Sequence, residues 1–353
     1  MKIASIETWS HKMKLSSPYT IAYETIDSTV NVFTKITTNK GTVGFGCAAP
    51  DLEVTDETEE SVITSCNDII EPLLKGSDAL RYSYQLNKLS EPLKKHPSAM
   101  AMIDMALFDI MGKEANMPIY KMLGGFREKM KTSITIGILP INDTVQNAKE
   151  YIKQGFSILK IKGGADVDED VERMKKVREA VGKNVQLRFD ANQGYSVYES
   201  LKFVEETRDV KIELLEQPTS KQEPDLLGRV TNNVPIIVMA DESLMNLVDA
   251  FKLARRDLVD TVNIKLMKVG GIDEAIKINA VAKAANLEVM VGCMDESALG
   301  IAAGLHFALS KPNVTYADLD GHLDLIDDPA KGAVILKNGT LYPTNKPGLG
   351  FNL

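Results

Sequence analysis

The sequence predicts an α/β protein: an eight-stranded parallel barrel preceded by a smaller α+β region. Three observations carry this. From LGGFREKMKTSITIGI onward, short β-branched strands alternate with amphipathic helical stretches. Eight strand cores can be read in order: SITIGI, SILKIKG, VQLRFDAN, IELLEQP, PIIVMADE, VNIKLMK, EVMVGCM and VTYADLD. The polar residues closing seven of them, Lys162, Asp190, Glu216, Asp241, Lys265, Cys293 and Asp318, follow at intervals of 28, 26, 25, 24, 28 and 25 residues. Each interval is one βα unit. A barrel of this kind takes about 250 residues, and the chain has 353.

The region before the barrel, residues 1–125, has its own pattern. TVNVFTKITT (29–38) alternates apolar and polar residues, Asn39-Lys40-Gly41 supplies a turn, and TVGFGCAAP returns, which predicts a hairpin. Asp56 to Lys75 predicts a helix, with acids in its first turn and Gly76 at its end. Ser98 to Asn116 predicts another, because Met100, Ile103, Leu107, Ile110 and Met111 share helical spacing and Asn116-Met117-Pro118 stops the run.

Composition narrows the function. Lys+Arg number 41 and Asp+Glu 49, a net charge of −8. That balance argues against a surface for nucleic-acid phosphates or anionic lipid and favours a metal or a cationic small molecule. Apolar residues at 44% and charged residues at 25% set disorder aside. Cys47, Cys66 and Cys293 are far apart and lack a CxxC pair, so a reducing cytoplasm is expected, without disulfides or a zinc knuckle. The N-terminal residues hold no secretory apolar run, and no stretch approaches about 18 uncharged apolar residues.

In a parallel barrel all strand carboxyl ends face one side, so the seven closing residues are expected to ring one mouth. Asp190, Glu216 and Asp241 supply three hard oxygen donors from consecutive strands. With no His or Cys nearby, they suit Mg²⁺, or Mn²⁺ as a substitute, better than zinc. One such acid alone could equally cap a helix or pair with a lysine.

Lys160 and Lys162 stand two residues apart on one strand and point the same way, inward in a barrel. Lys265 faces them across the ring, and Lys268 is expected at the solvent surface. An amine is a base near neutral pH only when its pKa is lowered, and Lys160 could do that to Lys162. Two lysines on opposite sides of a metal-bound carboxylate suit removal of the α-proton and its return to either face. The dianionic enolate formed on the way needs a cation and an ammonium, Mg²⁺ and Lys160, beside it.

KIKGG, RFDANQGY, LLEQP, ADES and NIKLMKVGG, in this order, resemble the enolase superfamily, specifically its muconate lactonizing enzyme-like subgroup. The resemblance implies a modified TIM barrel of (β/α)₇β form (126–325), an N-terminal α+β capping domain (1–125) and a C-terminal segment (326–353) returning to the cap. Cycloisomerases, o-succinylbenzoate synthases, N-acylamino acid racemases and dipeptide epimerases share that scaffold. Asp318 and Asp320 in YADLDGH look like the dipeptide epimerases' clamp for the substrate's α-ammonium, although Asp-Leu-Asp-Gly is also a turn signature. The same resemblance implies that Thr135 and the backbone at Cys293 contact the dipeptide, with Lys160 beside them. A nucleophilic Cys293 would need a neighbouring base, and the reading of a small buried thiol is preferred.

The expected activity is therefore a Mg²⁺-dependent dipeptide epimerase that inverts the second residue of L,L-dipeptides through an enediolate. Side-chain preference should come from cap loops around 18–27 and 50–60. An ungapped match puts Glu24 where relatives acting on Ala-Glu carry arginine, which argues against an acidic side chain. Asp51, Glu53, Asp56, Glu57, Glu59 and Glu60, with Asp295 in CMDES, predict a negative vestibule for Lys- or Arg-containing dipeptides. MDES and DLDGH also resemble cationic-dipeptide epimerases. Hydrophobic or Ala-Glu dipeptides are the alternative, and several of these acids also suit a helix start. An N-acylamino acid racemase on the same scaffold is a further alternative, and a lyase such as an o-succinylbenzoate synthase or an acid-sugar dehydratase would carry out an elimination with no use for Asp318 and Asp320. A peptide-binding protein without catalysis would leave the internal lysines unexplained. Barrels of this kind often assemble into homo-oligomers, but no interface is legible in the sequence.

Overall fold

Eight parallel strands form the centre of the molecule, each hydrogen-bonded to the next in sequence order: Ile134–Ile136, Ile158–Lys162, Gln186–Asp190, Leu214–Glu216, Ile237–Ala240, Thr261–Lys265, Glu288–Gly292 and Val314–Asp318. This computed structural model describes residues 1–20 and 25–352. Helical segments fill all seven intervals between the strands, so the (β/α)₇β expectation holds. The first and eighth strands close the ring through Ser133 N–H donating to Ala317 O (3.1 Å) and Leu319 N–H donating to Thr132 Oγ1 (2.8 Å). Every expected strand core is a strand. The predicted polar residues are each the last residue of a strand or the one just after it, as a regular βα repeat requires.

The preceding region is a three-stranded antiparallel sheet, Ile3–Thr20, Thr25–Thr38 and Val43–Ala48, with helices against it. The expected hairpin is its second and third strands, while the long first strand was not foreseen. The helix Pro97–Glu114 lies directly on Val43–Ala48. Gly44 and Gly46 permit this approach: a Cβ there would sit 2.2 Å from Ala106 O and 1.9 Å from Met102 O. The expected helix after Asp56 begins at Glu59 behind a Thr58 capping box and runs through one π turn, Cys66–Ile70, to Leu74. Gly76 then turns the chain at φ 80°.

A continuous apolar core joins Phe33, Phe45 and Cys47 of the sheet to the barrel helices, and Leu214, Met239 and Met290 fill the barrel interior as a separate cluster. Beyond the barrel, Val334–Lys337 and Thr340–Pro343 form a hairpin on Met130–Lys131. Leu349 N–H then donates to Asp109 Oδ1 (2.8 Å) on the 97–114 helix. All three cysteines are unpaired. Among the described residues no helix is long and apolar enough to cross a membrane.

Candidate active site

A cavity of about 410 Å³ opens between the strand carboxyl ends and the N-terminal sheet, a size typical of small-molecule sites. The sheet is fastened over it at two places. Ser16 N–H donates to Asp324 O (2.8 Å) after the eighth strand, and Thr29 Oγ1 and Asn31 Nδ2 donate to Asp295 O (3.2 and 3.0 Å) after the seventh. Cavity-lining residues thus come from both regions: Asp51 and Glu59 from the first, Thr135, Lys160, Lys162, Asp241, Lys265, Cys293, Asp295, Asp318 and Asp320 from the barrel. Glu24 lies outside the described residues.

The expected ring of seven is two-tiered. Asp190 and Glu216 are fully buried and do not line the cavity; they lie with Lys160. The Lys160 ammonium stands 3.0 Å from Asp190 Oδ2, 2.8 Å from Glu216 Oε2 and 2.9 Å from Asp318 Oδ2. Lys162 Nζ is 3.5 Å from Asp190 Oδ2, and Lys265 Nζ is 2.9 Å from Asp241 Oδ2. Lys162 and Lys265 end the second and sixth strands of eight, on opposite sides of the ring.

These charges set one another. Burial alone would discharge Lys160, but Asp190, Asp318 and Glu216 overcome it and hold its pKa well above the usual lysine value. Lys265 follows the same pattern, with burial opposed by Asp241, so its pKa is raised. Lys160 thus stays the ammonium expected of it, whereas Lys265 is not lowered toward neutrality by the protein's own groups: Asp241 outweighs desolvation and the neighbouring Lys160 ammonium. Burial would likewise raise Asp190 and Asp241, yet the lysines keep both below the usual carboxylate range. Glu216, with only Lys160 close by, is pushed up to about 7 by burial. Asp320, buried beside Asp318, also rises to about 7.

Among the described residues no three His, Cys, Asp or Glu side chains already converge as a ligand set; lysine ammoniums stand between the carboxylates. The donors nonetheless fit a cation. Asp190 Oδ2 and Glu216 Oε2 are buried, have no directed hydrogen bond, and face lysine charge alone: Lys162 Nζ lies 3.5 Å from Asp190 Oδ2, and the Lys160 ammonium stands beside both. That ammonium is the internal stand-in for positive charge which oxygen donors of this kind call for.

The remaining expectations divide. Asp318 accepts from Ser133 Oγ (2.6 Å) as well as Lys160, and Asp320 Oδ2 accepts from Thr135 N–H (2.7 Å). Cys293 receives the Gly321 N–H on its sulfur (3.3 Å), and burial with the Asp320 charge raises its thiol well above the usual value, which disfavours the thiolate a nucleophile needs. Lys268 is not at the surface. It is 1% exposed and donates to Asp241 Oδ1 and to Asp241 O (2.5 Å). The acidic loop is only partly a vestibule: Asp51 and Glu59 face the cavity, whereas Glu57 is buried and accepts from Ser98 and Ala99 N–H (2.8 and 3.2 Å) at a helix start. Asn263, Asn192 and Glu242 were missed. Asn263 is two residues before Lys265 on one strand, so the spacing used for Lys160 and Lys162 would have found it.

Comparison with known proteins decides the lineage. Residues 3–124 match the mandelate racemase/muconate lactonizing enzyme N-terminal domain, and residues 143–353 match the enolase C-terminal domain-like family. The chain belongs to the enolase superfamily. Within it, the chain is 40% identical over 351 residues, 99% of both proteins, to an L-Lys-D/L-Arg epimerase of Desulforapulum autotrophicum. It superimposes at a TM-score of 0.97 and 38% identity on the dipeptide epimerase of Enterococcus faecalis V583, complexed with Mg and L-Leu-L-Tyr, covering 99% of each chain. The substrate-liganded L-Ala-D/L-Glu epimerase of Bacillus subtilis gives 0.97 and 38%, covering 99% of this chain and 98% of that one. Superfamily relatives this similar thus differ in the side chains they accept.

Proposed function

We propose that this protein is a Mg²⁺-dependent dipeptide epimerase, an isomerase that inverts the Cα of the second residue of a dipeptide by moving a proton between Lys162 and Lys265. The observation that carries this is the placement of those two amines at the ends of the second and sixth strands, each lining one cavity beside a buried carboxylate. A planar α-carbon between them has one lysine on each face. One lysine, in its neutral form, removes the proton; the other, as an ammonium, returns one to the opposite face.

Asp190, Glu216 and Asp241 are the residues that would hold Mg²⁺. When bound, the ion supplies Lewis-acid charge to the substrate carboxylate, whose α-proton is otherwise extremely weakly acidic. Lys160, kept cationic by its neighbours, adds a second fixed positive charge where negative charge develops. Asp318 and Asp320 face the cavity and suit the free α-ammonium of the first residue. An arriving ammonium offsets the burial and the Asp318 repulsion that together raise Asp320. Thr135 N–H holds Asp320 in place, and the backbone at Cys293 completes the dipeptide's seat. Three unpaired thiols suit a reducing cytoplasm.

For the side chains, the acids facing the cavity, Asp51, Glu59, Asp295 and Asp324, favour dipeptides containing Lys or Arg. Among the described residues the only basic groups lining the cavity are Lys160, Lys162 and Lys265, which leaves none to pair with an acidic side chain.

The test is a mass-spectrometric panel of L,L-dipeptides in D₂O with Mg²⁺. Lys- and Arg-containing dipeptides should gain one deuterium fastest, and EDTA, Lys162→Ala or Lys265→Ala should lower the rate by about 10²–10⁴-fold. No labelling of any dipeptide would reject the epimerase. Fastest labelling of Ala-Glu or of hydrophobic dipeptides would reject only the cationic preference.

A further inference from the structure

Each of the three carboxylates assigned to Mg²⁺ is held from behind. Asp190 Oδ1 accepts from the Asn192 backbone N–H (3.0 Å), Glu216 Oε1 from Asn263 Nδ2 (2.8 Å), and Asp241 Oδ1 from Lys268 Nζ. In every case the other oxygen is the one facing a lysine of the site: Asp190 Oδ2 and Glu216 Oε2 face Lys160, and Asp241 Oδ2 faces Lys265. Three side chains on three strands thus show the same division between a fixed oxygen and a presented one.

Two of the three rear donors are side chains, and they form one unit. Lys268 Nζ also donates to Asp241 O (2.5 Å) and to Asn263 O (3.4 Å), so it ties the Asp241 backbone to the strand that carries Asn263. Neither residue lines the cavity, and both are buried. Space for the amide is built in on the next strand: a Cβ at Gly292 would lie 2.5 Å from Asn263 Oδ1.

We infer that Lys268 and Asn263 are positioning residues for the metal site, fixing the rear oxygens of Asp241 and Glu216 so that the presented oxygens are set for a divalent cation before it arrives. The inference rests on the reading of Asp190, Glu216 and Asp241 as the Mg²⁺ ligands. Neither residue touches substrate. Groups behind ligands typically govern affinity by orienting them.

The opposite effect is equally physical, which makes the test sharp. Lys268 is a cation beside a ligand, so a role in charge balance alone would mean that its removal strengthens Mg²⁺ binding. Isothermal titration of the EDTA-treated full-length protein with MgCl₂ separates the two. Lys268→Met and Asn263→Ala should each raise the Mg²⁺ Kd by about 10–100-fold, in protein whose cooperative thermal unfolding shows it folded. Asn263→Ala removes no charge, so it carries the test if Lys268→Met does not fold. A wild-type or lower Kd in either folded variant overturns the inference. Failure of the underlying reading looks different: wild-type protein takes up no Mg²⁺, or Asp241→Asn binds it as wild type does.

Discussion

The barrel mouth and the region that covers it both bury carboxylates and, the Asp109–Lys113 pair of the cover (2.7 Å) aside, they compensate them in opposite ways. In the barrel, Asp190, Glu216, Asp241 and Asp318 are matched by the ammoniums of Lys160, Lys162, Lys265 and Lys268. In the cover, Glu57 and Asp104 are matched by backbone N–H groups at helix starts: Ser98 and Ala99 for Glu57, Ile272 (2.6 Å) and Asp273 (3.0 Å) for Asp104. Matching by movable charges leaves a site whose charge can be redistributed when a cation or substrate enters. Matching by the backbone fixes a helix and reacts to nothing but protons. The same residue types therefore make a reactive centre in one region and fasteners in the other.

That contrast is tested most severely at Lys160. Lys160→Met leaves Asp190, Glu216 and Asp318 facing one another in a buried space, with Lys162, 3.5 Å from Asp190 Oδ2, as the remaining ion pair among them. Breaking a buried ion pair by removing one partner costs about 3–5 kcal/mol, and urea denaturation in EDTA should show a loss of that size. A loss below about 1 kcal/mol would mean that the carboxyls simply take up protons, and that the barrel charges are no more interdependent than a surface pair.

Asp104 tests the cover by pH. Burial pushes its carboxyl up to about 8, against the pull of the two N–H donors, whereas in the unfolded chain it titrates near about 3.9. Between those values the folded protein holds the extra proton, so the contribution is complete below about pH 4 and is lost as pH rises through about 8. Asp104→Asn carries no such proton. Measured from pH 5 upward, the melting temperature of the wild type relative to this variant should therefore fall steadily, by a few degrees in all toward pH 8.5. A difference that grows with pH would show that the N–H donors win and that Asp104 is ionised in the fold.

The barrel was legible because its chemistry repeats with its structure. A strand end recurs at every βα unit, so Lys162, Asp190, Glu216, Asp241, Lys265 and Asp318 announce themselves by interval, and Lys160 by the two-residue strand period. Lys268 does not, because the chain turns at Leu266 into a one-turn helix that folds the side chain back beneath Asp241. Nothing in NIKLMKVGG marks that turn. The strand Ile3–Thr20 was illegible for another reason: in KIASIETWSHKMKL the alternation is diluted by polar residues on both faces, and the strand is set by pairing with Thr25–Thr38. The acidic loop failed as a pattern because Glu57 and Glu59 look alike in sequence. What separates them is a helix that begins at Pro97, about 40 residues on.

Those two acids give the smallest effects and the closest comparison. Glu57 is buried, caps a helix whose own N-cap residue, His96, makes no side-chain cap, and does not line the cavity. Glu57→Gln keeps one acceptor oxygen and places an amide where the second N–H points, so the helix start loses one bond and a charge. A helix cap is worth about 0.5–2 kcal/mol, and the unfolding free energy should drop by that amount with kcat/KM for Lys- and Arg-containing dipeptides unchanged. Glu59 faces the cavity from the first turn of its own helix. Glu59→Gln should leave stability within about 0.5 kcal/mol and lower kcat/KM for cationic dipeptides relative to neutral ones by a few-fold, since one partly solvated charge pair is worth about 0.2–1 kcal/mol. If Glu57→Gln shifted substrate preference instead, the loop would act as one field, and the division between fasteners and reactive charges would fail where the two regions meet.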